Sequence, residues 1–165
     1  MKKIIVKIVD EKYEKKDDVE ALIRYIAEDN YCGRAYNNYF GMRANNSKAG
    51  AEDILAVQNK YNKNPSTILR HIVISFGEDY FVSPGQVQEI ADKIAEYYNN
   101  EYQVMYGIHD KNSSGENQIH IHMMVGSVNF RTGKILHEGI GELNEFKKYV
   151  EDVVESSKKK KILEV

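Results

Sequence analysis

Between residues 119 and 125 the chain alternates without a break: Ile119, Ile121, Met123 and Val125 interleave with His120 and His122. In an extended strand successive side chains point to opposite faces, so this run has an apolar face and a face carrying two imidazoles roughly 6.5–7 Å apart along the backbone. A strand of this kind must bury one side in a core and give the other side a different environment. The same parity recurs along the chain. Ile72, Ile74 and Phe76 oppose His71, Val73 and Ser75, while Val104, Tyr106 and Ile108 oppose Met105, Gly107 and His109. Near the start, Ile4, Val6 and Ile8 oppose Lys7. Of the five histidines, four (His71, His109, His120 and His122) therefore fall on the less apolar face of their strands.

Helical periods separate these strands. An apolar stripe of Val19, Leu22, Ile23 and Ile26 predicts a helix starting near Asp17 and Asp18, acidic residues suited to its positive end. Ser83-Pro84-Gly85-Gln86 is a capping box with proline at the first helical position. It opens a helix carrying Val87, Ile90, Ala91, Ile94 and Ala95, and residues 141–157 form another around Leu143, Phe146, Val150, Val153 and Val154. Residues 29–66 read as irregular, with a short helix around 51–60. A polar loop is expected over 110–118, a turn over 131–134, and a basic tail from Lys158 to Lys161 before a last short strand. The order βα(irregular)βαββα implies an α+β fold: a mostly antiparallel central sheet, helices packed on one face, and a histidine face opposite. At 165 residues the chain is expected to be a single domain.

The rest of the composition narrows the setting. The single cysteine, Cys32, excludes an internal disulfide and suits a reducing cytoplasm. No segment approaches the ~20 apolar residues that cross a bilayer, so no membrane is expected as a partner. The opening Met-Lys-Lys-Ile-Ile-Val has the look of a signal peptide, but Lys7 and Asp10 break its apolar run, and a first strand is expected instead.

A lone histidine on a half-exposed strand is usually a surface residue. Here a hairpin at 110–118 can bring His109 beside His120, so that three imidazoles from two neighbouring strands form a divalent-metal site with room for substrate oxygens. A structural zinc would normally need a fourth ligand, most often cysteine, and Cys32 is distant in sequence. His137 reads as a surface residue.

Residues 119–134, Ile-His-Ile-His-Met-Met-Val-Gly-Ser-Val-Asn-Phe-Arg-Thr-Gly-Lys, resemble the metal-binding motif of the relaxase/mobilisation nuclease family, within the HUH endonuclease superfamily. Residues 70–76 are similar to that family's middle motif, and residues 21–26 (Ala-Leu-Ile-Arg-Tyr-Ile) to the segment carrying its nucleophilic tyrosine. The resemblance implies an HUH relaxase-like fold, with His109, His120 and His122 holding Mg²⁺ or Mn²⁺. It implies that Tyr25 attacks a phosphodiester of single-stranded DNA at a transfer origin, leaving a 5′-phosphotyrosine and a free 3′-OH. His71 and Ser75 would support the site, and Asn129 would fix the loop after the metal strand. Accessory mobilisation proteins and a coupling protein would be its partners in a bacterial cytoplasm. Gln118-Ile119 stands where the family commonly has His-Pro, and Gly126 where it has asparagine.

The net charge of −2 runs against nucleic-acid binding. Local charge can reverse that: Arg24, Arg34, Arg43, Lys48 and Arg70 lie near the proposed site in sequence, and Tyr36 sits among further aromatic residues suited to base stacking. Two rival readings remain. Tyr149, on the last helix, is where a rolling-circle replication initiator or single-tyrosine transposase would carry its nucleophile. The chain could also be a DNA-binding accessory protein without catalysis.

Overall fold

The computed structural model describes residues 4–28, 35–77, 83–112, 114–137 and 139–163. The strands are β1 (Ile4–Ile8), β2 (Asn37–Phe40), β3 (Leu69–Phe76), β4 (Val104–Lys111) and β5 (Asn117–Gly126). The helices are α1 (Lys16–Ile26), α2 (Ser47–Lys60), α3 (Pro84–Ala95) and α4 (Ile140–Leu163). The strands form one sheet in the order β1-β3-β5-β4-β2, and every neighbouring pair is antiparallel. The α+β architecture with a central antiparallel sheet is therefore as the alternation implied.

On the first face, Ile72 and Ile74 of β3, Ile121 and Met123 of β5, and Tyr106 and Ile108 of β4 are buried under α3 and α4. The capping box of α3 forms as read: Ser83 Oγ accepts from the Gln86 amide, and the Gln86 side chain accepts from the Ser83 amide. The second face differs from the expectation that all helices share one side. There α1 and α2 bury Val19, Leu22, Ile23, Ile26 and Ile54 against Leu69, Met105 and Met124. Met105 and Met124 share the histidines' parity, so the second face is apolar at one end and imidazole-lined at the other. Among the described residues, helices cover both faces and leave the histidine end of the second open.

Three further differences have local causes. The stretch read as irregular, 29–66, contains β2, and the short helix expected around 51–60 is the C-terminal part of a longer α2. The buried side of α2 is Ala49, Gly50, Ala51, Ile54 and Gln58, small and polar residues that give almost no apolar period. Its start is set by Asn46, whose side chain accepts from the Ala49 amide at 2.9 Å. No last strand follows residue 157 among the described residues, because α4 runs on through the lysines, good helix formers, to Leu163. Finally, β4 continues through Asp110 and Lys111 with a register shift after His109, so the expected 110–118 loop is a shorter turn. No helix among the described residues is long and apolar enough to cross a membrane.

Candidate active site

The site forms where the C-terminal end of α1 comes down on β4. Gly107 lies opposite His122 in the β4–β5 pair, and a Cβ at this position would collide with the Ile26 carbonyl. The absent side chain lets the helix end rest directly on the strand. Carbonyls at a helix C-terminus lack intrahelical partners as a rule, and that of Ile26 accepts from His109 Nε2 at 3.3 Å. The same approach carries Tyr25 over the imidazoles. Its ring meets His109 and His122 edge-on, with centroids 5.3 and 5.0 Å away, and its hydroxyl lies 3.4 Å from His122 Nε2. Tyr25 is 44% exposed, whereas Val19, Leu22, Ile23 and Ile26 of the apolar stripe are buried.

His109, His120 and His122 are buried and each offers a ring nitrogen within 4.8 Å of the others. One nitrogen of each ring is occupied by the protein. His109 Nε2 donates to the Ile26 carbonyl, His120 Nδ1 donates to the Gln118 carbonyl at 2.8 Å, and His122 Nδ1 lies 2.9 Å from His71 Nε2. A carbonyl only accepts, so the neutral His109 and His120 rings each keep a bare second nitrogen. Because the Gln118 contact is made by the main chain, the family's usual residue at 118 is not needed for it. Burial holds all these histidines below their ordinary range: His122 to about 2 and His71 to about 4, with neighbouring imidazoles adding to the effect, and His109 and His120 downward as well. They are neutral at physiological pH, the form that ligates a metal. The donor set fits a divalent ion.

The histidines line a cleft of about 350 Å³, together with Tyr25, Ser75, Gln118 and the Asp110–Lys111 end of β4. Ser75 pairs directly with His120 across the sheet. Burial, with Glu28 nearby, raises the Tyr25 phenol above its ordinary range, so it is protonated at neutral pH.

Residues 25–158 match the family model described as Relaxase: MobA/VirD2-like, nuclease domain. The chain belongs to this family. No curated protein sequence matches it significantly. Membership makes it a relaxase nuclease domain, of the kind that nicks DNA in mobilisation, and its histidine cluster lies within the matched residues.

The relaxase fold gathers some of the residues singled out from sequence and separates others. Tyr25, Ser75, His109, His120 and His122 border one cleft, and His71 stands directly behind His122. The Asn129 side chain accepts from the amides of Arg131 and Thr132 in the turn after β5, at 2.8 and 3.0 Å. It does so beyond the far end of β5, away from the histidines. Tyr149 lies across the sheet. It donates to the Lys93 carbonyl of α3 at 2.7 Å and packs on Tyr97, so it cannot serve this cleft in this fold.

The expected DNA contacts fare less well. Tyr36 packs against the α3/α4 core, and Arg70 has the parity of that same face. Arg43 is engaged by Asp53 at 3.0 Å and Glu52 at 3.6 Å. Lys48 is exposed in the first turn of α2 and, like Arg24, which pairs with Glu20 at 3.7 Å, does not line the cleft. Arg34 lies outside the described residues. Among the described residues the cation that lines the cleft is Lys111, which the continuation of β4 past His109 places there. Gly107 and the Tyr13 behind His71 carry no local signal of their roles, because both matter only through partners distant in sequence.

Proposed function

We propose that the chain nicks and rejoins single-stranded DNA at a transfer origin through a 5′-phosphotyrosine on Tyr25, with a divalent cation at His109, His120 and His122. The observation carrying this reading is the Tyr25 hydroxyl 3.4 Å from His122 Nε2, at the edge of three neutral imidazoles. Tyr25 Oη attacks phosphorus, the bond from phosphorus to the 3′-oxygen breaks, and the phenolic proton is balanced by the one taken up on the released 3′-hydroxyl. A cation held by the imidazoles would polarise the phosphoryl group and offset the charge that builds on its oxygens. Ser75 and Lys111 face the same cleft, where a hydroxyl donor and an ammonium suit a phosphodiester's free oxygens. Because the ester energy is retained, the 3′-hydroxyl can reverse the step and reseal the strand.

Three imidazole donors favour Mn²⁺ over Mg²⁺ in intrinsic affinity, since nitrogen ligands suit transition metals while Mg²⁺ prefers oxygen. The natural setting in this reading is the bacterial cytoplasm, with accessory mobilisation proteins and a coupling protein as partners. The test is a nicking assay on labelled single strands from the transfer-origin region of its own element, with Mn²⁺ and with EDTA. Metal-dependent cleavage that disappears in Tyr25→Phe and persists in Tyr149→Phe supports the reading. Cleavage that persists in Tyr25→Phe overturns it.

A further inference from the structure

Behind His122 runs a chain of polar contacts, buried as far as Tyr13 and ending at the exposed Glu11, that the nicking chemistry does not itself use. His122 Nδ1 meets His71 Nε2 at 2.9 Å, His71 Nδ1 meets the Tyr13 hydroxyl at 3.1 Å, and that hydroxyl donates to Glu11 Oε2 at 3.2 Å. His71 and Tyr13 are 6% and 7% exposed, so neither has water as an easy alternative partner. The main chain pins Tyr13 in place: its amide donates to Thr67 Oγ1 at 3.0 Å, and its carbonyl accepts from the Ile68 amide at 2.7 Å.

Each ring in this chain can be protonated on one nitrogen or the other, and the two arrangements have opposite consequences at the cleft. If Tyr13 donated to His71 Nδ1, His71 would carry its proton on Nε2 and donate to His122 Nδ1. His122 would then carry its own proton on Nε2, with no lone pair facing the cleft. The Glu11 carboxylate can only accept. By accepting the Tyr13 hydrogen bond it leaves the phenol oxygen to accept from His71 Nδ1, which leaves His71 Nε2 to accept from His122 Nδ1. The lone pair of His122 then lies on Nε2, the atom 3.4 Å from the Tyr25 hydroxyl. Burial and the Glu11 carboxylate together raise the Tyr13 phenol well above its ordinary range, so it keeps the proton that it donates.

We propose that Tyr13, oriented by Glu11, is a positioning residue that sets the tautomers of His71 and His122 and so keeps His122 Nε2 open to the cation. This rests on the metal-site reading above. Outer partners of ligating histidines typically change metal affinity by about 10- to 100-fold when removed.

Two measurements test it. Ring ¹⁵N shifts of the metal-free wild-type protein should show His71 and His122 both protonated at Nδ1. Calorimetric Mn²⁺ titration should show Tyr13→Phe, folded by circular dichroism, binding about 10- to 100-fold more weakly. Glu11→Ala should weaken binding as well, while Glu11→Gln, which keeps an oxygen acceptor, should recover most of it. His122 protonated at Nε2 in the wild type, or Mn²⁺ affinity in Tyr13→Phe within twofold of wild type, would overturn the proposal. If Tyr13→Phe does not fold, the wild-type ring shifts alone decide. A wild-type protein that binds no Mn²⁺ refutes the metal reading itself, and is told apart from a failure of this inference, which leaves wild-type affinity intact.

Discussion

At His122 the two ring nitrogens do different work: Nδ1 is tied to His71 at 2.9 Å, and Nε2 lies 3.4 Å from the Tyr25 hydroxyl. The separation makes Tyr25→Phe a clean probe. Removing one exposed hydroxyl leaves the imidazoles in place, so nicking should fall by roughly a thousandfold or more while Mn²⁺ affinity in calorimetry stays close to wild type. Loss of both together would mean that Tyr25 holds the site together rather than reacting in it. The depressed histidines also link stability to pH. Above pH 6.5 they are neutral whether the chain is folded or not. Below it the unfolded chain takes up protons that folded His71, held to about 4, and His122, held to about 2, refuse. Metal-free stability should therefore fall as pH drops from 6.5 towards 4, by up to about 1.4 kcal/mol per pH unit for each such imidazole. Thermal melts at pH 7 and pH 5 check this, and His122→Asn should flatten the slope; equal melting temperatures would contradict it.

Among the elements, α1 and β4 set where Tyr25 stands over the imidazoles, because Gly107 lets the Ile26 carbonyl reach the strand and the His109 ring. Gly107→Ala should push the end of α1 away. Overpacking of this kind costs about 1–3 kcal/mol, and a displacement of Tyr25 by about 1 Å can cost roughly a hundredfold in rate. Gly85→Ala, in α3, where an added Cβ meets nothing within 4 Å, is the matched control and should leave nicking unchanged. If both variants nick equally well, the close approach at Gly107 is not what positions Tyr25. Legibility in the sequence followed the same divide between local and distant causes. Strands β3, β4 and β5 announced themselves by alternation, and α1 and α3 by their apolar stripes and first-turn residues. Of α2 only the part around 51–60 did, since its buried side is Ala49, Gly50, Ala51 and Gln58 around one large apolar residue, Ile54. Strand β2 is only Asn37–Phe40, too short for a period to show. His109, His120 and His122 could be placed together from parity and one hairpin. Gly107, Tyr13 and Lys111 could not, because their importance comes from contacts with residues remote in the chain or from a register shift after His109.

Taken whole, the molecule is a sheet with unequal faces. One face is sealed by α3 and α4, and the other is divided between an apolar end under α1 and α2 and an open end of imidazoles. That division lets a chain of net charge −2 present a cleft lined by Lys111 as well as Asp110, to which a cation held by the imidazoles would add positive charge. A cation that binds only the folded state stabilises it by about 2.7 kcal/mol at a hundred times its Kd. At 2–4 °C per kcal/mol for this size class, Mn²⁺ should raise the melting temperature by roughly 5–10 °C. EDTA should reverse the shift and His122→Asn should abolish it. Metal binding alone does not establish nicking, however. The most direct test is to trap the covalent adduct formed with single-stranded transfer-origin DNA and Mn²⁺, and to locate it by peptide mass spectrometry. A 5′-phosphate ester on Tyr25, absent when EDTA is added, is the predicted result. An adduct on Tyr149 or any other residue, or one on Tyr25 that forms equally well in EDTA, would contradict it.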